Sequence, residues 1–249
     1  MTEPLQNPAL ENLALVRRRI GAAALRSGRP AEAVRLLLVT KTVPAERLVA
    51  VARSGMRDFG ENKVQEGLRK SEALAGEEIR WSMIGHLQTN KAKDVLRFAS
   101  DVQSLDRLPL AEALDRRLQR EGRALDVLVQ VNTSAEDSKF GLAPEDVAAF
   151  LKQLPAFSSL RPRGFMTLAT FTPDEAEVRR CFRTLRELRD RARNDAPQAQ
   201  ALAELSMGMS GDFEWAIEEG ATIVRVGQAV FGPRPRPDSF YWPGAAGTH

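Results

Sequence analysis

Lys41 ends a run of branched apolar residues, Arg35-Leu36-Leu37-Leu38-Val39-Thr40-Lys41, and Thr42-Val43-Pro44 follows it. Continuous Leu and Val without polar alternation is the pattern of a parallel strand covered on both faces. The lysine therefore falls at the carboxyl end of a buried strand, where parallel α/β folds place their active sites. Partial desolvation at such a point disfavours the ammonium form. A neutral amine there attacks aldehydes and forms a Schiff base. Taken alone, the stretch also suits a lysine that only carries its charge from the strand end into water.

Two glycine-bearing motifs near the other end of the chain add to this chemistry. They are Ser206-Met207-Gly208-Met209-Ser210-Gly211-Asp212 and Arg225-Val226-Gly227-Gln228. Glycine lets backbone N–H groups approach an anion, and in (β/α)8 barrels a phosphate is often held by the loops after the seventh and eighth strands. Plain tight turns would use the same glycines. Arg225 stands two residues before Gly227, so the two share a strand face. It is a permanent cation there, unless it spends its charge on Glu61 or Asp106 across the barrel top. An amine, a phosphate cradle and a cation together specify a ligand with an aldehyde, a phosphate and a ring nitrogen. Pyridoxal 5′-phosphate has all three.

The elements that would position these groups recur at strand–helix spacing. Strands are expected at 35–41, 56–62, 79–85, 101–105, 125–132, 163–168, 205–207 and 222–226. Helices are expected at 44–52, 64–74, 89–98, 109–120, 144–154, 172–192 and 213–219, with an extra N-terminal helix over 10–25. About eight such units in one domain, 1–233, make a (β/α)8 barrel of the TIM type. Residues 234–249 are a Pro- and Gly-rich tail, expected to be loosely held. A doubly wound open sheet would carry a Gly-rich turn after its first strand. Thr40-Lys41-Thr42-Val43-Pro44 has no glycine.

Composition narrows the remaining classes. The chain has 249 residues, 43% hydrophobic and 28% charged, with a net charge of +3. Its arginines are scattered along helices beside glutamates, which describes a solvated surface and not a nucleic-acid footprint. Cys181 is the only cysteine, so an internal disulfide and a multi-cysteine zinc site are excluded; it reads as a buried, inert thiol. His86 and His249 are the only histidines, too few for a multi-histidine metal site. His86 reads as a helix cap in preference to a ligand contact, and 137–141 as a mobile loop after the fifth strand. No signal-peptide pattern and no membrane-length apolar stretch is present, so a cytoplasmic location is expected.

The same residues carry a family resemblance. The chain resembles the pyridoxal-phosphate homeostasis proteins, also called proline synthetase co-transcribed homologues, from about Leu5 to Pro233. The matching motifs are Val39-Thr40-Lys41-Thr42, Phe59-Gly60-Glu61-Asn62 with Gln65-Glu66, Trp81 to Gln88 with Asn90-Lys91, Gly164-Phe165-Met166-Thr167, Ser206 to Ser210, and Arg225-Val226-Gly227 with Phe231-Gly232. The resemblance implies a barrel similar to the N-terminal domain of alanine racemase, with pyridoxal 5′-phosphate on a lysine. Carried over, Lys41 is the Schiff-base lysine and Asn62 lies beside the cofactor ring. Met83 and Met166 belong to the cofactor pocket. Ser210, Gly227 and Gln228 hold the phosphate, and Arg225 faces the pyridine nitrogen. Lys63 and Gln228 stand where the family usually has tyrosine and threonine.

The implied function is cofactor carriage and homeostasis without established catalysis. PLP-dependent apoenzymes are the implied recipients, and a monomer is expected. The alternative is a weak single-domain amino-acid racemase. Alanine racemase takes its second base, a tyrosine, from a partner subunit and carries a second domain. Here Tyr241, in the tail, is the only tyrosine. An arginine facing the ring nitrogen also makes the ring a weak electron sink.

Overall fold

The computed structural model describes residues 7–136, 139–195 and 201–233. Eight parallel strands close into a barrel in sequence order. They are β1 (Arg35–Val39), β2 (Asp58–Glu61), β3 (Arg80–Met83), β4 (Ala99–Leu105), β5 (Leu125–Gln130), β6 (Leu160–Met166), β7 (Glu204–Ser206) and β8 (Ile223–Val226). The helices are α1 (Pro8–Arg26), α2 (Ala45–Arg53), α3 (Val64–Ala73), α4 (Ala92–Val95), α5 (Leu108–Glu121), α6 (Val147–Gln153), α7 (Glu175–Asp195), α8 (Phe213–Glu218) and α9 (Gln228–Phe231). This is the expected (β/α)8 barrel with one extra helix at its start.

The apolar run of β1 divides between two cores. Leu37 meets Leu128, Met166 and Ile223 inside the barrel, whereas Leu36 and Leu38 join the larger cluster that the helices cover. Burial on both faces removes the polar alternation a half-exposed strand would show. At the strands' amino ends the barrel is closed by charge. Arg80 pairs with Asp58 at 2.7 Å, Arg35 with Asp58 at 3.5 Å, and Arg161 with Asp126 at 2.7 Å.

Helix α1 starts at a local signal. The Asn7 side chain accepts the Ala9 amide at 3.1 Å, and Pro8 occupies the first turn. Its buried stripe is Ala9, Leu13, Val16, Ile20 and Ala23-Ala24, with Leu10 packed at its edge. The helix lies against α8 and α9, held at its edges by Asn12 on the Val230 carbonyl and Arg19 on Glu214.

Several boundaries differ from expectation. β1 stops at Val39, which leaves Lys41 in the turn above the strand. β6 begins at Leu160, three residues early, because Arg161 and Arg163 spend their charge on Asp126 at the barrel's floor. The helix expected at 89–98 is a 3-10 turn, Thr89–Lys91, followed by the four-residue α4. Residues 228–231, where no element is expected, form α9. Pro44 precedes the first turn of α2, where its fixed φ is compatible with an extended residue. Cys181 is buried in α7 as expected. The expected tail, 234–249, lies outside the described residues. Among the described residues no helix is long and apolar enough to cross a membrane.

Candidate functional site

Lys41 and the turn after β8 meet at the barrel's carboxyl end. Lys41, Thr42, Gly227 and Gln228 line one small cavity of about 50 Å3, together with Val39, Arg47 and Phe231. Val39 lines it from the end of β1, and Lys41 from the turn above. Gly227 is fixed by close approach. A Cβ on it would stand 2.8 Å from the Val39 carbonyl oxygen, so the backbone of β1 leaves no room for a side chain. The glycine therefore serves strand packing as well as any ligand.

The two C-terminal motifs converge. The Gly227 and Ala229 amides both donate to Ser210 Oγ, each at 3.3 Å. Asp212 accepts the Met209 amide and so shapes the loop that presents Ser210. Burial pushes the Asp212 carboxyl up, while the bond from the Met209 backbone pulls it back. A hydroxyl and backbone N–H groups gathered on one point are the donor set an oxyanion needs.

Arg225 lies deeper, 3% exposed, on the same inward face of β8 as Ile223. It donates to Ser206 Oγ at 2.8 Å and to the Thr167 carbonyl at 2.7 Å. Neither Glu61 nor Asp106 takes its charge: Glu61 faces Lys70, and Asp106 faces Arg107 and His86. Burial lowers its pKa to about 10, which still leaves it charged at neutral pH. The chain of donors runs on from there. Ser206 Oγ donates to Gln103 Oε1 at 2.6 Å, and Gln103 donates to Asp101 at 3.1 Å, where Ser82 donates at 2.7 Å.

Burial pushes the Asp101 carboxyl above its ordinary range, with the Ser82 bond acting in the opposite sense. A raised acid contributes stability that is complete below the unfolded pKa and is lost as pH rises through the folded pKa. Thermal unfolding should therefore show the wild type losing Tm relative to Asp101→Asn as pH is raised from about 4 upward, out of the ordinary carboxylate range. A difference that stays constant with pH would contradict this.

The remaining expected residues fall in two places. Asn62 lines a second cavity of about 310 Å3 with Lys63, Gln65, Met83, His86, Gln88 and Lys91. Gly85 allows the loop after β3 to pass there, since a Cβ on it would lie 2.2 Å from the Asn62 carbonyl oxygen. Met166 packs inside the barrel beside Leu37, while Met83 belongs to the helix-covered cluster and only borders the second cavity. His86 is not a helix cap. Its ring stacks on Phe140 at 3.8 Å between centroids, and Nδ1 stands 3.6 Å from Asp106. Burial lowers its pKa. The described part of the loop after β5 is tied down, with Lys139 donating to Glu136 at 2.6 Å and to the Ala169 carbonyl at 2.9 Å.

Sequence reasoning passed over Lys70, a buried cation on the inner face of α3. Its ammonium donates to the Thr40 carbonyl at 2.6 Å, to Glu61 at 2.6 Å and to Glu66 at 2.7 Å. Glu66 also accepts the Thr42 amide at 2.7 Å. Thr42 has φ of 66°, in the left-handed region that a β-branched residue rarely enters. Such strain costs about 1–3 kcal/mol. A backbone hydrogen bond to a carboxylate contributes about 1.5–3 kcal/mol and offsets it. Burial raises the Glu61 carboxyl, and Lys70 lowers it. The sequence signals were the Glu66–Lys70 spacing of four and a lysine in phase with Val64 and Gly67.

A closed parallel barrel with a lysine just past its first strand, and donors gathered after its seventh and eighth, defines a class. The alanine racemase N-terminal domain family model matches residues 12–235. Alanine racemase of Clostridium difficile has the same fold, with a TM-score of 0.71 at 16% identity, over 94% of this chain and 57% of that one. The chain belongs to the pyridoxal phosphate homeostasis protein family. The member from Aquifex aeolicus is 41% identical over 226 residues, 91% of this chain and 98% of that protein. The member from Pseudomonas aeruginosa is 42% identical over 224 residues, 90% and 95% of the two chains. PipY of Synechococcus elongatus, solved with PLP bound, matches with a TM-score of 0.76 at 36% identity, over 87% of this chain and all of that one.

Proposed function

We propose that this protein binds pyridoxal 5′-phosphate through Lys41 and carries it in intracellular cofactor homeostasis, without a reaction of its own. The observation that supports this most is the shared cavity, in which Lys41 faces the Gly227-Gln228 turn. The donor set fits the group. Ser210 Oγ and the Gly227 and Ala229 amides would take the phosphate, and Gln228 would close its side. Arg225 would face the ring nitrogen as a fixed cation, held by Ser206 and the Thr167 carbonyl. Asn62, Met83 and Met166 would border the ring. The cofactor supplies an aldehyde, which condenses with a primary amine and releases water. The names of the Aquifex and Pseudomonas relatives and the bound PLP of PipY support the same reading.

PLP-dependent apoenzymes are the recipients in this reading, and the protein acts as a cytoplasmic monomer that binds neither nucleic acid nor membrane. Racemisation needs a second base across the α-carbon from Lys41. Among the described residues lining the lysine's cavity, the other ionisable group is Arg47, which donates to the Phe231 carbonyl at 2.9 Å. An arginine does not readily give up its proton. Purified protein incubated with L-alanine and PLP should yield no D-alanine by chiral chromatography. Turnover that disappears in Lys41→Ala would overturn the carrier reading.

A further inference from the structure

We propose that Lys70, Glu66 and Glu61 form a positioning device that holds the backbone on both sides of Lys41 and so sets where its amine stands. The inference rests on the reading of Lys41 as the attachment residue.

The geometry is specific to that residue. Lys70 grips the carbonyl of Thr40, and Glu66 grips the amide of Thr42. Lys41 is the one residue between them. Thr40 is secured a second time, its hydroxyl donating to Glu61 and its amide to the Gly60 carbonyl at 3.1 Å. All four contacts come from β2 and α3, elements that contribute no side chain to the cavity lined by Lys41. The device therefore acts through backbone placement and not by touching a ligand.

A purely structural role fits less well. The cluster is buried, with the Lys70 side chain 7% exposed and Glu61 fully enclosed. Glu61 Oε2 has no hydrogen-bond partner. A buried ion cluster with an unsatisfied oxygen is a poor way to fasten a helix to a sheet, since apolar replacements of similar volume are often as stable. What apolar packing cannot do is hold a carbonyl and an amide at fixed points around a residue with left-handed φ next door. A four-bond side chain carries its amine through several ångströms if its backbone swings. Attack on an aldehyde tolerates little of that.

The role separates binding of the ring and phosphate from capture of the aldehyde. Pyridoxine 5′-phosphate carries the same ring and phosphate with an alcohol in place of the aldehyde, so it reads the first alone. Two variants are compared with wild type by titration of the full-length apo-protein: Glu66→Ala, and the charge-free triple variant Lys70→Met, Glu61→Gln, Glu66→Gln. Folding is checked by circular dichroism and Tm. Both variants should bind pyridoxal 5′-phosphate roughly tenfold more weakly, while pyridoxine 5′-phosphate changes by less than about twofold. Glu66→Gln alone keeps an acceptor for the Thr42 amide and should recover most of the aldehyde's advantage. The pH midpoint of the lysine-bound chromophore should move in the first two variants.

Equal weakening of both ligands, or no weakening of either, would overturn the positioning role. If Glu66→Ala proves unstable, the triple variant decides by the same ratio. The underlying reading fails in a different way. A wild type that binds the two ligands equally removes Lys41 as the attachment point, and the device with it. A wild-type preference lost in Lys41→Ala but kept in both cluster variants removes the device alone.

Discussion

Lys41→Ala should leave the barrel folded and abolish covalent retention of pyridoxal 5′-phosphate. Lys41 sits in the turn above β1 and contributes to neither the inner nor the helix-covered apolar cluster. Its loss should therefore change Tm little, within the small range typical of substitutions away from the core. Retention is another matter. Dialysed wild type should keep a yellow chromophore, and the variant should emerge colourless. Affinity should fall by about a hundredfold or more, to that of the phosphate and ring contacts alone. A variant that keeps the chromophore after extensive dialysis would show that another amine holds it. Lys63, Lys91 and Lys139 would be the next candidates to map.

The second large effect belongs to Ser210. Its hydroxyl gathers the Gly227 and Ala229 amides on one point beside the Lys41 cavity. A hydrogen bond to a charged oxygen contributes roughly 1.5–3 kcal/mol, so Ser210→Ala should weaken pyridoxal 5′-phosphate about ten- to a hundredfold. Unphosphorylated pyridoxal should bind as before. Equal losses for the two ligands would remove this loop from the phosphate site. Gly227→Val is a poorer probe than its sequence suggests. The side chain would run into the Val39 carbonyl, so its loss of binding would mix strand displacement with loss of the anion's approach. Gln228→Thr tests the departure from the usual family residue. Tighter binding would assign weight to a hydroxyl there, and no change would assign it to the backbone.

The sequence made the barrel legible because its strands are buried on both faces. β1 carries Leu36 to Val39 and β5 carries Val127 to Val129 as unbroken apolar stretches, and such stretches announce themselves. β6 announced only its second half, since Arg161, Pro162 and Arg163 occupy its first. Those arginines are paired at the barrel's floor, a tertiary contact with Asp126 that no local pattern reveals. α9 was missed because four residues are too few to show a helical period. The convergence of Lys41 with Gly227 and Gln228 followed from the barrel's topology, which brings all strand ends to one rim.

Lys70 was illegible as a partner of Lys41 because its meaning lies in the distance between α3 and the turn after β1. A lysine in an amphipathic helix carries no local mark that separates a buried head group from a solvated one. His86 was misread for a similar reason, since its neighbour Phe140 comes from a loop 54 residues away in the chain. Lys41 itself could be placed at a strand end, but not in a turn flanked by a left-handed threonine.

Borohydride reduction followed by peptide mapping shows which amine holds the cofactor. Purified wild type loaded with pyridoxal 5′-phosphate is reduced, digested and sequenced by tandem mass spectrometry. One phosphopyridoxyl label is expected, on Lys41 within the peptide that contains Val39 to Pro44, and none when pyridoxine 5′-phosphate replaces the aldehyde. A label spread over surface lysines, or none at all, would contradict attachment at Lys41.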